Sequence, residues 1–461
     1  MDLNQDSDRT QDGFWRRIGN EVETVGVEAV RDDERTMSAN KLFVVWAMAS
    51  ASATTPVIGS LLFAMGFTNM VIAIVIAFLI GFIPAGLFSE MGREIPLTAL
   101  IVARRTYGWI GAFIFSVLFT FVNVGWFGLN TEVGGQILSS IFRTSGSFWF
   151  WVVGIVQIIL VLFGMKWLEY FYRYTAALMI ACYAVLTAYL FIHYHIHMPG
   201  PNGQFTWGAS LSTILTFSIL AWAYKISTMS RFCVPAHQTK RRGWFFVAGS
   251  SGIMLSVFLM GLVGILSQEA TGNWNVALLG THIPVWGVIA GLGVALAVIH
   301  SNAMNLYPST VDLLAALNTV RKPMKWEQPI ATVVLGIIST LLAVYGILDK
   351  IQGFLNIIGD VLLPFTFIMV VDWVWIQRKK TPQNTFFDHP STASQWLSIP
   401  ATVGFIVGFV INFWGADFLP RFFYNVLPLP VVGSIVGAAI FWILAVVSGL
   451  RVGDDSPETV R

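Results

Sequence analysis

Apolar stretches of about 20 residues, long enough to cross the hydrocarbon core of a bilayer as a helix, recur along the whole of this chain. They fall near residues 42–66, 68–88, 109–138, 147–165, 170–193, 209–230, 244–266, 284–314, 330–347, 354–376, 396–414 and 427–449. With 56% of the 461 residues apolar and only 11% charged, water cannot be the main solvent of such a chain. In lipid the backbone must satisfy its own hydrogen bonds, so each stretch is read as a helix. The expected fold is an all-α polytopic membrane protein with twelve transmembrane helices.

Charge orients the bundle. If the N-terminus is inside, 23 of the 27 Lys and Arg residues fall on the cytoplasmic side, only Arg143, Lys350 and Arg421 fall outside, and Lys225 sits within a span. The positive-inside rule then places both termini in the cytoplasm of a plasma or inner membrane protein, with Arg231, Lys240, Arg241 and Arg242, and the Arg378-Lys379-Lys380 run, as inner anchors. A net charge of +2, spread through connections, gives no surface for nucleic acid. Cys182 and Cys233 are too few and too far apart to suggest a disulfide framework or a thiolate metal site.

Two spans are built differently from the rest. Span one carries Ala49-Ser50-Ala51-Ser52-Ala53-Thr54-Thr55-Pro56 across its middle, and span six carries Trp222-Ala223-Tyr224-Lys225-Ile226-Ser227-Thr228-Met229-Ser230. Polar, weakly helical backbone is tolerated at membrane depth only where it faces protein or a cavity. If spans one to five and six to ten are two halves, the two segments occupy corresponding places, and paired broken helices point to a binding site near the midplane. Close helix packing through small residues is the competing reading.

Polar side chains mark the same layer. In span three Asn123, Trp126 and Asn130 share a helical face, so an indole plane and two amides could hold a flat heteroaromatic ring by its face and its edges. Glu132 lies on the opposite side with Gly125, Gly128 and Gly135. An intramembrane carboxylate is costly, so it is expected to pair with Lys225 or to line water with it. In span eight Ser301 and Asn305 stack four residues apart beside Asn302, groups that can ligate a substrate edge or a bare cation, and His300 is a titratable group in the same turn. The His193, His195, His197 run has no acidic partners and suits the membrane interface better than a metal. Phosphate-loop, zinc-protease, hydrolase and paired Cys-x-x-Cys signatures do not occur, so enzyme readings have little support.

These residues also carry a resemblance. From Arg35 to about Lys380 the chain resembles the nucleobase:cation symporter family, the cytosine, purine, allantoin and hydantoin permeases. Ala103-Arg104-Arg105-Thr106-Tyr107-Gly108 precedes span three, and Val124-Gly125-Trp126-Phe127-Gly128 follows within it. Ser230-Arg231-Phe232 ends span six, Ser301-Asn302 and Leu306-Tyr307 lie in span eight, and Asp372 lies in span ten. The resemblance implies the leucine-transporter fold: a 5+5 inverted repeat plus two C-terminal helices, with substrate held between spans one, three, six and eight. On that reading residues 1–41 form a cytoplasmic tail, 42–193 the first repeat, 194–208 an external loop and 209–376 the second repeat. Residues 377–395 then form a cytoplasmic loop, 396–449 the last two helices and 450–461 a second cytoplasmic tail.

By the same resemblance Trp126 stacks on the substrate ring, Asn123 stands where cytosine permeases have a glutamine, and Asn302 and Asn305 lie in the stretch whose amides bind substrate. Ser52, Phe217 and Trp222 complete that set. His300 and Ser301 align with two hydroxyl residues that help bind sodium in sodium-coupled relatives. Sodium would then sit at Ala49 and Ser301, or a proton would replace it at His300 with Glu132 or Lys225 assisting. Two departures leave the particular substrate open: Met304 stands where the cytosine group has an asparagine, and Thr228, Met229 and Ser230 stand where an acidic residue is usual.

The expected function is import of a nucleobase or related small planar heterocycle by symport with a proton or sodium, without a cofactor, the bilayer and the two cargoes being the partners. The alternatives are a heterocycle such as allantoin, a hydantoin or a vitamin precursor, an integral-membrane enzyme acting on a lipid or isoprenoid through Glu132 and His300, and an uncoupled receptor or channel.

Overall fold

The computed structural model describes residue 22 and residues 26–239, 242–281, 284–322, 324, 326–376 and 386–449. Lys240, Arg241, Arg378, Lys379, Lys380 and most of both expected tails lie outside the described residues. The described chain is helical throughout, with one isolated bridge between Met37 and Cys233. Among the described residues ten helical segments are long and apolar enough to cross a membrane, and Gly146–Leu162 is a shorter apolar helix.

The first span is split. Helix α1 (Ala39–Ser50) begins at Ser38, whose side chain accepts from Lys41 N, and α2 (Val57–Leu61) resumes after Pro56. Between them the backbone leaves the helix, and hydroxyl groups take over its polar atoms. Thr55 Oγ1 donates to Ser50 O at 2.5 Å, and Ser52 N donates to Thr55 Oγ1 at 3.2 Å. Ser and Thr side chains compete in this way with helical hydrogen bonds, which is how residues 51–56 stay satisfied away from water.

Helices α3 (Phe67–Glu94), α4 (Ala99–Phe142), α5 (Gly146–Leu162) and α6 (Gly164–His193) follow. Helix α4 is kinked at Gly108, whose φ of 77° suits a residue without a Cβ, and the freed Tyr107 carbonyl accepts from Ser398 N at 3.1 Å. The sixth span is α7 (Trp207–Phe217) and α8 (Ile219–Ser230), interrupted at Ser218 (φ −128°, ψ −109°). The interruption therefore falls upstream of residues 222–230, which stay helical. Lys225 and Tyr224 within it bond to Asn305, Asn123 and Asp312 on other helices without any unwinding. The remaining long helices are α9 (Arg242–Thr271), α10 (Pro284–Val320), α11 (Glu327–Val344), α12 (Ile351–Val371), α13 (Ile399–Phe418) and α14 (Leu429–Val447).

Packing centres on α4 against α10. Helix α1 lies on α9, α8 on α3, α3 on α9, α5 on α11, and α13 on α14. Close approach needs small residues: a Cβ on Gly264 of α9 would strike the Pro56 carbonyl, at the very point where the first span is broken. Gly264→Val is therefore expected to lower stability by about 1–3 kcal/mol, the usual cost of overpacking. A drop in the melting temperature of the detergent-purified protein would report it, and an unchanged melting temperature would mean that the span-one break can shift freely.

Candidate functional site

Every residue singled out from the sequence as a site candidate is buried, and most are in contact with one another. Trp126 of α4 is only 2% exposed. Phe217 at the end of α7 meets its ring edge-on at 5.2 Å, and Phe354 of α12 does so at 5.5 Å. Its indole Nε1 has no hydrogen-bond partner among the described residues. On α8 Trp222 lies edge-on to Trp46 at 5.8 Å, and Lys225 Nζ stands 4.8 Å from the Trp222 ring centroid. Trp222 Nε1 and the Ser227 and Thr228 hydroxyls likewise have no partner.

An amide chain links these aromatic groups. Lys225 Nζ donates to Asn305 Oδ1 at 2.9 Å, Asn305 Nδ2 to Asn302 Oδ1 at 3.4 Å, and Asn302 Nδ2 to Phe127 O at 3.0 Å and Thr131 Oγ1 at 2.9 Å. A second chain crosses the split span: the Ser52 and Thr54 hydroxyls are 2.7 Å apart, Thr54 Oγ1 donates to Asn130 Oδ1, and Asn130 Nδ2 donates to Ser301 Oγ at 3.1 Å. Ala49, fully buried, lies in the last turn of α1, next to the break. Spans one, three, six and eight thus meet through Ser52, Trp126, Asn130, Trp222, Lys225, Ser301, Asn302 and Asn305.

Three candidates are held by neighbours that the sequence did not name. Glu132 does not pair with Lys225. Its carboxylate accepts from Leu348 N at 2.7 Å and from Gln136 Nε2 at 3.0 Å, tying α4 to the turn before α12. The sequence places the two residues in the same membrane but cannot give their depths. Glu132 is nine residues beyond Asn123 on α4, about 14 Å at the helical rise, whereas Lys225 adjoins the tyrosine that Asn123 contacts. His300 turns its ring onto α6: Nε2 lies 2.6 Å from Thr175 Oγ1, the Phe171 and Tyr172 rings are each 4.9 Å away, and Tyr172 hydroxyl donates to the His300 carbonyl. Asn123 donates through Nδ2 to Tyr224 hydroxyl at 2.8 Å and Asp312 Oδ2 at 3.0 Å. A cavity of about 570 Å³ opens at the far ends of α4 and α9, by Ser140, Thr271 and Asn275, and none of the candidates lines it.

Sequence reasoning missed Tyr224 and Asp312. Asp312 follows Asn305 by seven residues and so lies on the same face two turns on, a signal obscured by its nearness to the end of the apolar stretch.

The N-terminal segment closes the end of the bundle where α3 and α8 finish. Arg231, fully buried, donates to Gly26 O at 3.1 Å and to Tyr307 hydroxyl at 2.8 Å. Arg35 Nη2 donates to Arg93 O at 2.5 Å. Cys233, whose thiol burial pushes up to about 12, is a buried free cysteine beside this strap, and Cys182 is a second one.

Comparison with known proteins gives a consistent answer. Residues 29–444 match the family described as permease for cytosine/purines, uracil, thiamine, allantoin. A Bacillus subtilis (strain 168) protein named as a purine-cytosine permease is 25% identical over 446 residues, 92% of this chain and 93% of that one. The hydantoin permease of Microbacterium maritypicum is 19% identical over 412 residues, 84% of this chain and 83% of its own. Among solved structures, a nucleobase-cation-symport-1 family transporter in a closed conformation with bromovinylhydantoin bound superposes with a TM-score of 0.76 at 16% identity. The match covers 94% of this chain and 98% of that one. A Na+-coupled sialic acid symporter gives 0.66 at 15%, covering 91% and 92%.

Proposed function

Because the chain belongs to the family of permeases for cytosine/purines, uracil, thiamine and allantoin, we propose that it is a secondary active transporter that imports a nucleobase or related small planar heterocycle by cation symport with alternating access. The observation that carries the substrate class is the set of buried polar atoms without a partner among the described residues, next to aromatic rings: Trp126 Nε1 and Trp222 Nε1 as donors, with the Thr228 and Ser227 hydroxyls. Buried polar atoms are normally satisfied, and a flat ring with donors and acceptors on its edge is the ligand that would satisfy these. Trp126 offers the stacking plane, Phe217 closes one edge, and Asn302, Asn305 and Ser52 supply amide and hydroxyl contacts. Asn123 adds an acceptor, Oδ1, that no protein donor reaches.

We read the chain as twelve spans with both termini in the cytoplasm. The count takes α1 with α2 as one span and includes Gly146–Leu162. Packing supports a 5+5 inverted repeat: α1 lies on α9 as α8 lies on α3, and α5 on α4 as α11 on α10, which are the pairs that exchange when span n is mapped onto span n+5. The coupling ion is a proton or sodium. Ala49 and Ser301 are the positions for sodium between spans one and eight, and His300, Lys225 and Glu132 are the titratable candidates for a proton.

A non-nucleobase heterocycle is the second reading, favoured by Met304, fully buried on α10 where the resemblance leads one to expect an asparagine. Competition uptake in proteoliposomes against cytosine, uracil, purines, allantoin, hydantoins and vitamin precursors, each with and without sodium, tests both. One class of planar heterocycle is expected to compete. Failure of every one to compete, or chemical turnover of a labelled compound, would reject the reading.

A further inference from the structure

The substrate layer leaves one fully buried acid unused. Asp312 of α10 accepts through Oδ2 from Asn123 Nδ2 at 3.0 Å and from Tyr224 hydroxyl at 3.4 Å, and its Oδ1 has no partner. The hydrogens of this cluster can be counted. Asn123 Nδ2 gives one to the Tyr224 oxygen and one to Asp312, and Tyr224 gives its own to Asp312. Two acceptors are left over, Asn123 Oδ1 and Asp312 Oδ1, which no donor among the described residues reaches. Asn123, Tyr224 and Asp312 are all fully buried, and a carboxylic acid at Asp312 would put a proton on one of the two acceptors that the protein leaves without a donor.

We propose that Asp312 is the group that carries the coupling proton. The inference rests on the symporter reading above and names its ion. In the loaded state the Asp312 carboxylate has taken a proton from the external side and is a neutral acid. Release of that proton to the cytoplasm restores the carboxylate.

The surroundings explain how proton and substrate could feel each other. Helix α8 and its C-terminal cap bring Tyr224, Lys225 and Arg231 towards the acid, and α4 brings the neutral Asn123. Lys225 and Arg231 act on Asp312 through space, because each donates elsewhere: Lys225 to Asn305, Arg231 to Gly26 O and Tyr307 hydroxyl. A bare carboxylate in this buried place draws Lys225 towards itself and away from Asn305, one of the proposed substrate amides. Protonation lets Lys225 stay on Asn305. Substrate and proton affinity are then linked, and linkage is reciprocal. The cluster also joins α8 to the α4–α10 pair, the contact that an alternating-access motion must rearrange.

Infrared titration of the purified protein in bilayers tests the assignment without any substrate. A carboxylic-acid band that appears on acidification should vanish in Asp312→Asn and persist in Glu132→Gln and Asp360→Asn. Tyr224→Phe removes a donor to the carboxylate without removing the acid, and should move the midpoint of the same band. In proteoliposomes with labelled cytosine or hypoxanthine, Asp312→Asn should cut accumulation driven by a pH gradient by about 10–100-fold, the span of an ordinary coupling free energy, while counterflow at equal pH continues. A band that survives in Asp312→Asn, or a midpoint unmoved by Tyr224→Phe, overturns the proposal; the second test stands even if Asp312→Asn does not fold. Sodium-driven accumulation indifferent to pH overturns it as well. If the wild type takes up neither base, the nucleobase reading fails while the infrared result still decides on Asp312.

Discussion

Trp126→Ala is expected to abolish uptake of every substrate while the protein still reaches the membrane in normal amount. The indole is buried, and its two ring contacts, Phe217 and Phe354, come from α7 and α12. Both meet it edge-on, with interplanar angles of 82° and 72°. Truncation removes the stacking plane and the unpartnered Nε1 together. Losing a stack and a hydrogen bond to the ligand costs about 2–4 kcal/mol, or roughly 30–1000-fold in affinity. Trp126→Phe keeps the plane but not the N–H and should fall between the two. Initial uptake rates normalised to the amount of protein in the membrane give the comparison. Uptake that survives Trp126→Ala would place the substrate elsewhere. The remaining spans are held by their own apolar faces, so a cavity at one aromatic position should weaken the fold without preventing insertion.

The spans and the interruption at residues 51–56 were legible because small, hydroxyl-bearing residues and a proline stand out against Leu, Ile, Val and Phe. The interruption at Ser218 was not, because neither glycine nor proline marks it and a lone serine in a helix usually signals nothing. Which polar residues share a face could be read from the 100° step along one helix, and Asn302 and Asn305 on α10 are both buried and hydrogen-bonded to each other. Which residues on different helices share a depth could not be read, because depth depends on where each helix enters the bilayer. Glu132 and Lys225 failed for that reason. Asp312 was overlooked for a related one: an acid near the end of an apolar stretch looks like the edge of the membrane. Only the fold shows that α10 continues to Val320 and that Asp312 is wholly enclosed.

Arg231→Ala is expected to open the face of the bundle that the N-terminal segment closes. Gly26 N donates to Gln328 Oε1 at 2.7 Å, Val30 N to Pro96 O at 3.1 Å, and Met37 exchanges backbone hydrogen bonds with Phe232 and Val234 at 3.0 Å. Val27 and Val30 are buried beneath this strap. Arg231 is its keystone, since one guanidinium reaches the strap at Gly26 and α10 at Tyr307 from the end of α8. Hydrogen bonds to a charged group contribute about 1.5–3 kcal/mol each. Losing two of them, less what water restores once the face is open, should raise the open population by roughly 10–100-fold. The readout is the rate at which an impermeant maleimide applied to that face labels Thr228→Cys, a position with no exposure in the closed bundle, in a background lacking Cys182 and Cys233. Arg231→Lys keeps the charge but cannot span both acceptors with a planar fork, so its rate should lie between the two. Labelling from the opposite face should slow by a similar factor, because the two openings exclude each other. Equal rates in Arg231→Ala and its parent would mean that closure on this side depends on the strap's backbone bonds and not on the arginine.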